Sequence, residues 1–214
     1  MNAPKSSIHP VALPHAYRLL NTGPTVLVSA AVGSAQGGQR YVMAAAWNMP
    51  LDFDPPKVAV VLDKSTHTRK LVEQSGRFTL AVPCVQGANL AFAVGSQSQA
   101  THAQAGTVKA DVLGVQWLGA ADLPGLGSDT QAFSAALVAG CVGWLVCRLL
   151  PEPHNQQAYD LFIGQVTHAW ADERAFANGK YRPLADIPPA LRTLHHLGAG
   201  RFVVPGQELQ ATTG

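Results

Sequence analysis

The sequence is short of charge. Asp, Glu, Lys and Arg make up 13% of its 214 residues, against roughly 25% in an average globular protein. A monomer's surface is normally covered with such residues. A chain this poor in them is expected to hide part of its surface, most economically against a copy of itself, as a homodimer. Blocks of like charge are missing too. Fifteen basic and thirteen acidic side chains leave a net +2, and the nearest thing to a basic cluster is the pair Arg69-Lys70. Phosphate-backbone binding needs clustered Lys and Arg, so nucleic acid is not an expected partner. Cysteine is scarce and unpaired in pattern: Cys84, Cys141 and Cys147 form no C-x-x-C. Such usage suits a reducing, cytoplasmic setting better than a disulfide framework. Segment 1–20 carries His9, His15 and three prolines where a signal peptide needs an unbroken apolar run.

Long apolar runs are lacking as well. Thr130 to Cys147 is free of charge for 18 residues, at the lower limit of about 18 for a membrane helix. Its apolar part divides into Ala135–Ala139 and Cys141–Leu150 around Gly140. Each piece has strand length, so no membrane span is expected.

The common chemical signatures are also absent. Gly125-Leu126-Gly127 and Gly198-Ala199-Gly200 lack the third glycine of a dinucleotide fingerprint. No G-x-x-x-x-G-K-[ST] or G-x-S-x-G occurs. Eight histidines include no H-x-x-x-H or H-E-x-x-H, and the adjacent His195 and His196 would diverge, so no metal site is expected. The cysteines sit in apolar runs, where a buried, inert thiol is the ordinary outcome. Neither a nucleophile nor a protein-bound metal is indicated, and no catalytic side chain is named.

What is present is β pattern broken by turns, with 20 glycines and 15 prolines. TVLVSAAV (Thr25–Val32) and YVMAAAW (Tyr41–Trp47) flank a glycine-rich connection and read as a hairpin. NMPLDFDPP reads as a loop because of Pro50, Pro55 and Pro56. KVAVVL (Lys57–Leu62) is a strand covered on both faces. Between Thr66 and Gln74 the chain reads as a short helix, opened by cap residues and closed by Gly76, with Leu71 and Val72 towards the core. Arg77–Val82, Phe133–Ala139, Cys141–Leu150 and Leu161–Trp170 are further strands, and Gly87–Val94 a second short helix. Ser96–Gly106 reads as a loop and Asn155–Tyr159 as a turn. The sum is a mainly β chain with short helices, one barrel or sandwich over residues 1–214.

The order of these pieces carries a resemblance. TVLVSA, YVMAAAW, a loop with Asp54-Pro55-Pro56, KVAVVLDK and STHTRKLVEQSGRFTLAV follow one another from Thr22 to Pro83. DLFIGQVTHAWAD (Asp160–Asp172) and HHLGAGRFVVPG (His195–Gly206) come later. The whole resembles the flavin reductase-like or flavoredoxin family, with the FMN-binding split β-barrel fold of Greek-key type, over about residues 22–206. The resemblance implies a homodimer with FMN in a cleft. It implies an isoalloxazine ring near Ala45, Ala46, Trp47 and Asn48, and a phosphate near Ser65, Thr66, His67, Thr68 and Arg69. Where members usually carry Asn two places before the methionine and Thr or Ser just after it, this chain has Tyr41 and Ala44. Backbone donors survive that change, but side-chain hydrogen bonds to the ring do not.

Local chemistry points to the same place. A helix N-terminus presents unpaired N–H groups and a positive dipole end, here beside three hydroxyls and Arg69, a bidentate phosphate ligand. The ordinary alternative is a cap at Ser65 or Thr66 with Arg69 in solvent. Small residues at Ala44–Ala46 would let a planar ring approach the backbone, and the ordinary alternative there is plain core. Trp47 is equally suited to a dimer interface. The implied activity is hydride transfer from NAD(P)H to FMN, as an NAD(P)H:flavin oxidoreductase. The alternative is an FMN-binding electron carrier or sensor without NAD(P)H turnover.

Overall fold

Two-sided and alternating apolar runs become strands of one antiparallel sheet in the computed structural model, which describes residues 7–20, 23–33, 38–126 and 135–211. β1 (Ile8–Pro10) is a short piece. β2 (Val26–Val32) and β3 (Gln39–Ala45) form the expected hairpin, in register from Val26 opposite Ala45 to Val32 opposite Gln39. The sheet adds β4 (Asn48–Phe53), β5 (Pro56–Val61), β6 (Arg77–Pro83), β7 (Cys141–Leu150) and β8 (Leu161–Asp172). The strand order is β3-β2-β6-β7-β8-β5-β4, with β1 on the far end of β8. The outermost strands, β3 and β4, are consecutive in the chain and separated only by Ala46 and Trp47. Three peptide steps span at most about 11 Å, so the sheet curls until its two edges meet at that corner.

Six short α-helices accompany the sheet among the described residues. They are α1 (Leu13–Ala16), α2 (His67–Ser75), α3 (Ala88–Ser96), α4 (Gln99–Gln104), α5 (Lys109–Val112) and α6 (Pro153–Ala158). Two small ribbons follow late in the chain, β9 (Phe176–Ala177) with β10 (Lys180–Tyr181), and β11 (His195–Gly198) with β12 (Arg201–Val203). None of these helices is long and apolar enough to cross a membrane.

β2, β5, β6 and β7 are largely buried on both faces, which explains why β2 and β5 read as continuous apolar runs rather than alternations. β2 sends Val26, Val28 and Ala30 into an inner core with Val58, Val60, Phe78, Leu80 and Phe162, closed by Leu71 and Val72 of α2. Its Leu27 joins a second core on the outer face with Val42, Ala81 and Trp144, covered by Ala91 and Val94 of α3 and Ala110 of α5. At roughly 1.5–3 kcal/mol per fully buried large aliphatic side chain, these two layers are the main favourable term that fixes the curl. Helix α2 ends as expected at Gly76, whose φ of 66° is left-handed and whose N–H reaches Val72 O.

Four expectations need correction. The loop read into NMPLDFDPP is strand β4; Pro50 is tolerated because β4 is an edge, where a missing N–H breaks no ladder on the open side. Ser96–Gly106 contains α4, whose N-cap Ser98 Oγ accepts from Ala100 N at 3.1 Å. The turn at Asn155–Tyr159 is mostly α6, with proline at its first turn. Of the strand expected at Phe133–Ala139, residues 133 and 134 lie outside the described residues, and 135–139 contribute only an isolated bridge from Val138 to Trp117.

Gly164 on β8 shows how tightly the inner layer closes. A Cβ there would overlap the Phe78 ring and sit 2.9 Å from Cys147 Cβ. Gly164→Ala is therefore expected to lose about 1–3 kcal/mol in urea unfolding, the usual range for overpacking. A Cβ on Gly76 meets nothing within 4 Å, so Gly76→Ala should lose only the about 1–2 kcal/mol of an unfavourable left-handed residue.

Candidate functional site

As the outermost strand, β3 pairs with β2 on one side and has no strand partner on the other among the described residues. Alternation sends Tyr41 and Ala45 into the inner core beside α2, and Val42 into the outer core beside α3. Between those two helices runs a groove floored by β3. Its first part, a pocket of about 290 Å³, is lined by Tyr41–Ala44, Ser65–Thr68 and Lys70 on one side, and by 94–100 and Lys109 on the other. A second hollow of about 270 Å³ adjoins it, sharing Ala44, Gly95 and Ser96, and adds Thr25, Ala46, Phe92, His196 and Phe202. Together they fall within the size range of a small-molecule or cofactor site, about 300–1,000 Å³.

Chemically, the two parts differ. The first holds the α2 N-terminus. Thr66 is the N-cap by geometry but makes no side-chain cap bond. Its hydroxyl donates instead to Asp63 O at 2.7 Å, and Ser65 Oγ donates to Asp63 Oδ1 at 2.6 Å. Among the described residues no side chain therefore caps the opening N–H groups of α2, and an anion is the natural partner for that end. The Ser65 hydroxyl and N–H hold the Asp63 carboxyl below its usual range. His67 packs its ring 4.4 Å from that of Tyr41, and burial together with the nearby Lys70 pushes its pKa down. The second part is apolar, with Phe92 and Phe202 as walls. Besides Thr25 and Ser96, its polar group is His196 Nε2, buried with no hydrogen-bond partner among the described residues while the ring lies 5.1 Å from Phe202. The β11–β12 ribbon that carries His196 is pinned to the body by Thr25 N donating to Leu194 O and His196 N donating to Thr25 Oγ1.

The residues at the two positions where the resemblance implies other side chains acquire reasons here. Tyr41 is a core residue that supports His67. Ala44 is small because α3 comes down on it: a Cβ at Gly95 would lie 3.0 Å from Ala44 Cβ.

Of the residues expected at the site, Ser65, Thr66, His67, Thr68 and Ala46 line the groove. Ala45 lies behind its floor, in the inner core. Asn48 turns its Nδ2 to Pro24 O at 3.1 Å and leaves Oδ1 buried with no partner among the described residues. Trp47 is 75% exposed and stands with Met49, Leu51 and Phe53 on an apolar outer face of β4.

Arg69 is the correction. It is 6% exposed and turned away from the groove. Nε donates to Glu73 Oε1 at 2.9 Å, Nη1 to Asp160 Oδ1 at 2.5 Å and Leu62 O at 3.2 Å, and Nη2 to Gln156 O at 2.9 Å. Its Cζ lies 5.0 Å from the Phe162 ring centre. Burial opposes its charge, but Glu73 and Asp160 outweigh burial and raise its pKa. The residue ties α2 to β8 and α6. The cation that the sequence reading overlooked is Lys109, from α5, buried in the groove wall. Nothing in its local sequence, GTVKADV, distinguishes it from a surface lysine. The three thiols are buried and free, and burial raises the pKa of each.

Known proteins share this fold. The FMN-binding domain of a flavin reductases-like enzyme from Shewanella baltica OS155 is 45% identical, with a TM-score of 0.84 over 98% of this chain and 100% of its own. An uncharacterized protein of Escherichia coli K12, YddH, is 41% identical over 94% of this chain and 97% of its length. Flavoredoxin of Desulfovibrio vulgaris (Miyazaki F) shares the fold at 20% identity, with a TM-score of 0.65 over 88% of this chain and 89% of its own. The family model described as flavin reductase like domain matches residues 18–188. The chain belongs to the flavin reductase-like family.

Arg69→Met should act on the fold, since it leaves the Asp160 carboxylate, the buried Leu62 carbonyl and the half-buried Gln156 carbonyl without this donor. Removing one partner of a buried ion pair costs about 3–5 kcal/mol. Asp160 and Glu73 are partly solvated, so a loss nearer about 2–3 kcal/mol in chemical denaturation is expected here.

Proposed function

We propose that this chain is an FMN-binding oxidoreductase of the split-barrel, homodimeric type, taking hydride from NAD(P)H and passing electrons to free flavin or another acceptor. One observation carries this: the groove joins an uncapped helix N-terminus with hydroxyls to a floor of small residues flanked by two phenylalanines. The first part suits a phosphate monoester and the second a flat aromatic ring. The α2 N–H groups, with Ser65, Thr66 and Thr68, would hold the phosphate. Lys70, exposed beside them, would add charge that salt screens. Ala44 and Ala46 would let the ring lie against backbone, between Phe92 and Phe202. His196 Nε2, buried in the apolar hollow with no hydrogen-bond partner among the described residues, fits a ligand with a polar edge. Bound FMN would supply the hydride acceptor, its N5, and the protein the orientation and electrostatics. A hydride delivered this way leaves NAD(P)+ and needs no protein acid or base. Three buried thiols fit a reducing, cytoplasmic setting.

The decisive measurement is a visible spectrum of protein loaded with FMN and freed of excess, then given NADH or NADPH without oxygen. A bound-flavin spectrum that bleaches is expected. Bound flavin that stays oxidised with both nucleotides would select the carrier or sensor, and no retained flavin would overturn the proposal.

The homodimer draws its support from β4. Trp47, Met49, Leu51 and Phe53 make an exposed apolar stripe on an edge strand, a feature that isolated monomers avoid. Phe53→Asp is expected to shift the sedimentation coefficient from dimer to monomer without unfolding the chain.

A further inference from the structure

We propose that Lys109 is the fixed counter-charge for the ligand's phosphate, and so the residue that makes the groove prefer phosphorylated flavin to riboflavin. This rests on the FMN reading of the groove. Lys109 is 5% exposed, yet its ammonium has no carboxylate within ion-pair distance among the described residues. It donates to Val94 O at 2.9 Å and Gln97 O at 3.1 Å, leaving a third N–H without an acceptor there. Buried charges are ordinarily paired, because desolvating an isolated one is expensive. Here the two acceptors are carbonyls at the C-terminal end of α3, whose dipole offsets part of that cost but supplies no full negative charge. Burial correspondingly pushes the amine down to about 8. An anion in the groove would restore the missing partner.

The surroundings hold the group in place. Lys109 N donates to the buried Gln99 Oε1 at 3.0 Å, and the neighbouring Ala110 packs in the outer core. The same pocket holds the uncapped α2 N-terminus. A doubly charged phosphate between a helix N-terminus and a buried ammonium meets both kinds of donor that such groups favour. Arg69, the cation expected for this task, is committed to Asp160 and Glu73.

The rival role is a staple in which Lys109 only joins α5 to the end of α3. Equilibrium titrations of FMN and riboflavin into wild type and Lys109→Met separate the two. Charge-assisted hydrogen bonds carry about 1.5–3 kcal/mol, so FMN affinity should fall about 10- to 100-fold, with riboflavin affinity changed less than about threefold. A parallel loss of both flavins would make Lys109 a staple and overturn the inference while leaving the FMN site standing. Wild-type protein that binds neither flavin would overturn the FMN reading itself. Should the methionine variant not fold, the Lys109 ammonium resonance of wild-type protein gives the answer by NMR. It should move on adding FMN and stay in place with riboflavin; no response to FMN would overturn the assignment.

Discussion

Everything about the groove depends on β3 being an edge. A strand with a partner on one side only must do something with its other side, and natural sheets cover, charge or shorten such edges. Here β3 is flanked rather than paired. Alternating side chains anchor it to α2 through the inner core and to α3 through the outer core, and the space between the helices is left over as a groove. The approach of Gly95 to Ala44 sets how close α3 can come. A strand added at this edge would remove the groove.

The charged residues divide their work according to which side of α2 they face. Successive helical residues are separated by about 100°, so Arg69 and Lys70 point to different neighbours despite being adjacent. Arg69 is aimed at β8 and α6 and spends its guanidinium on the fold. Lys70 is aimed at the groove but sits in solvent. The buried cation on the groove arrives from α5, held by the preceding helix: Ser98 caps α4, and the buried Gln99 side chain receives the N–H of Lys109.

What the sequence made legible follows the range of the physics involved. The β2–β3 hairpin, β5, β6, β7, β8 and α2 announce themselves through apolar period, cap residues and a terminal glycine, all local signals. Strand β4 was hidden because three prolines in and around it speak against regular structure unless the strand is known to be an edge. Helix α4 was hidden because QATHAQ has no apolar face. Ser65 to Thr68, expected from the resemblance together with cap chemistry, do line the groove. The direction of Arg69 could not be read in the same way, since its partner Asp160 lies 91 residues away, nor could the burial of Lys109, which depends on α3 and α5 packing on the outer face.

The corner between β3 and β4 links the groove to the subunit surface. Ala46 lines the apolar hollow, and the next residue, Trp47, begins the exposed stripe of Met49, Leu51 and Phe53. Trp47 O also accepts from Val61 N at 3.0 Å, and Asn48 reaches back to Pro24 O, so the corner is held at its base while its outer side is bare. A partner seated on the stripe would bury the indole one residue away from the alanine that lines the hollow. Covering the corner in this way would restrict its backbone and fix the wall of the hollow.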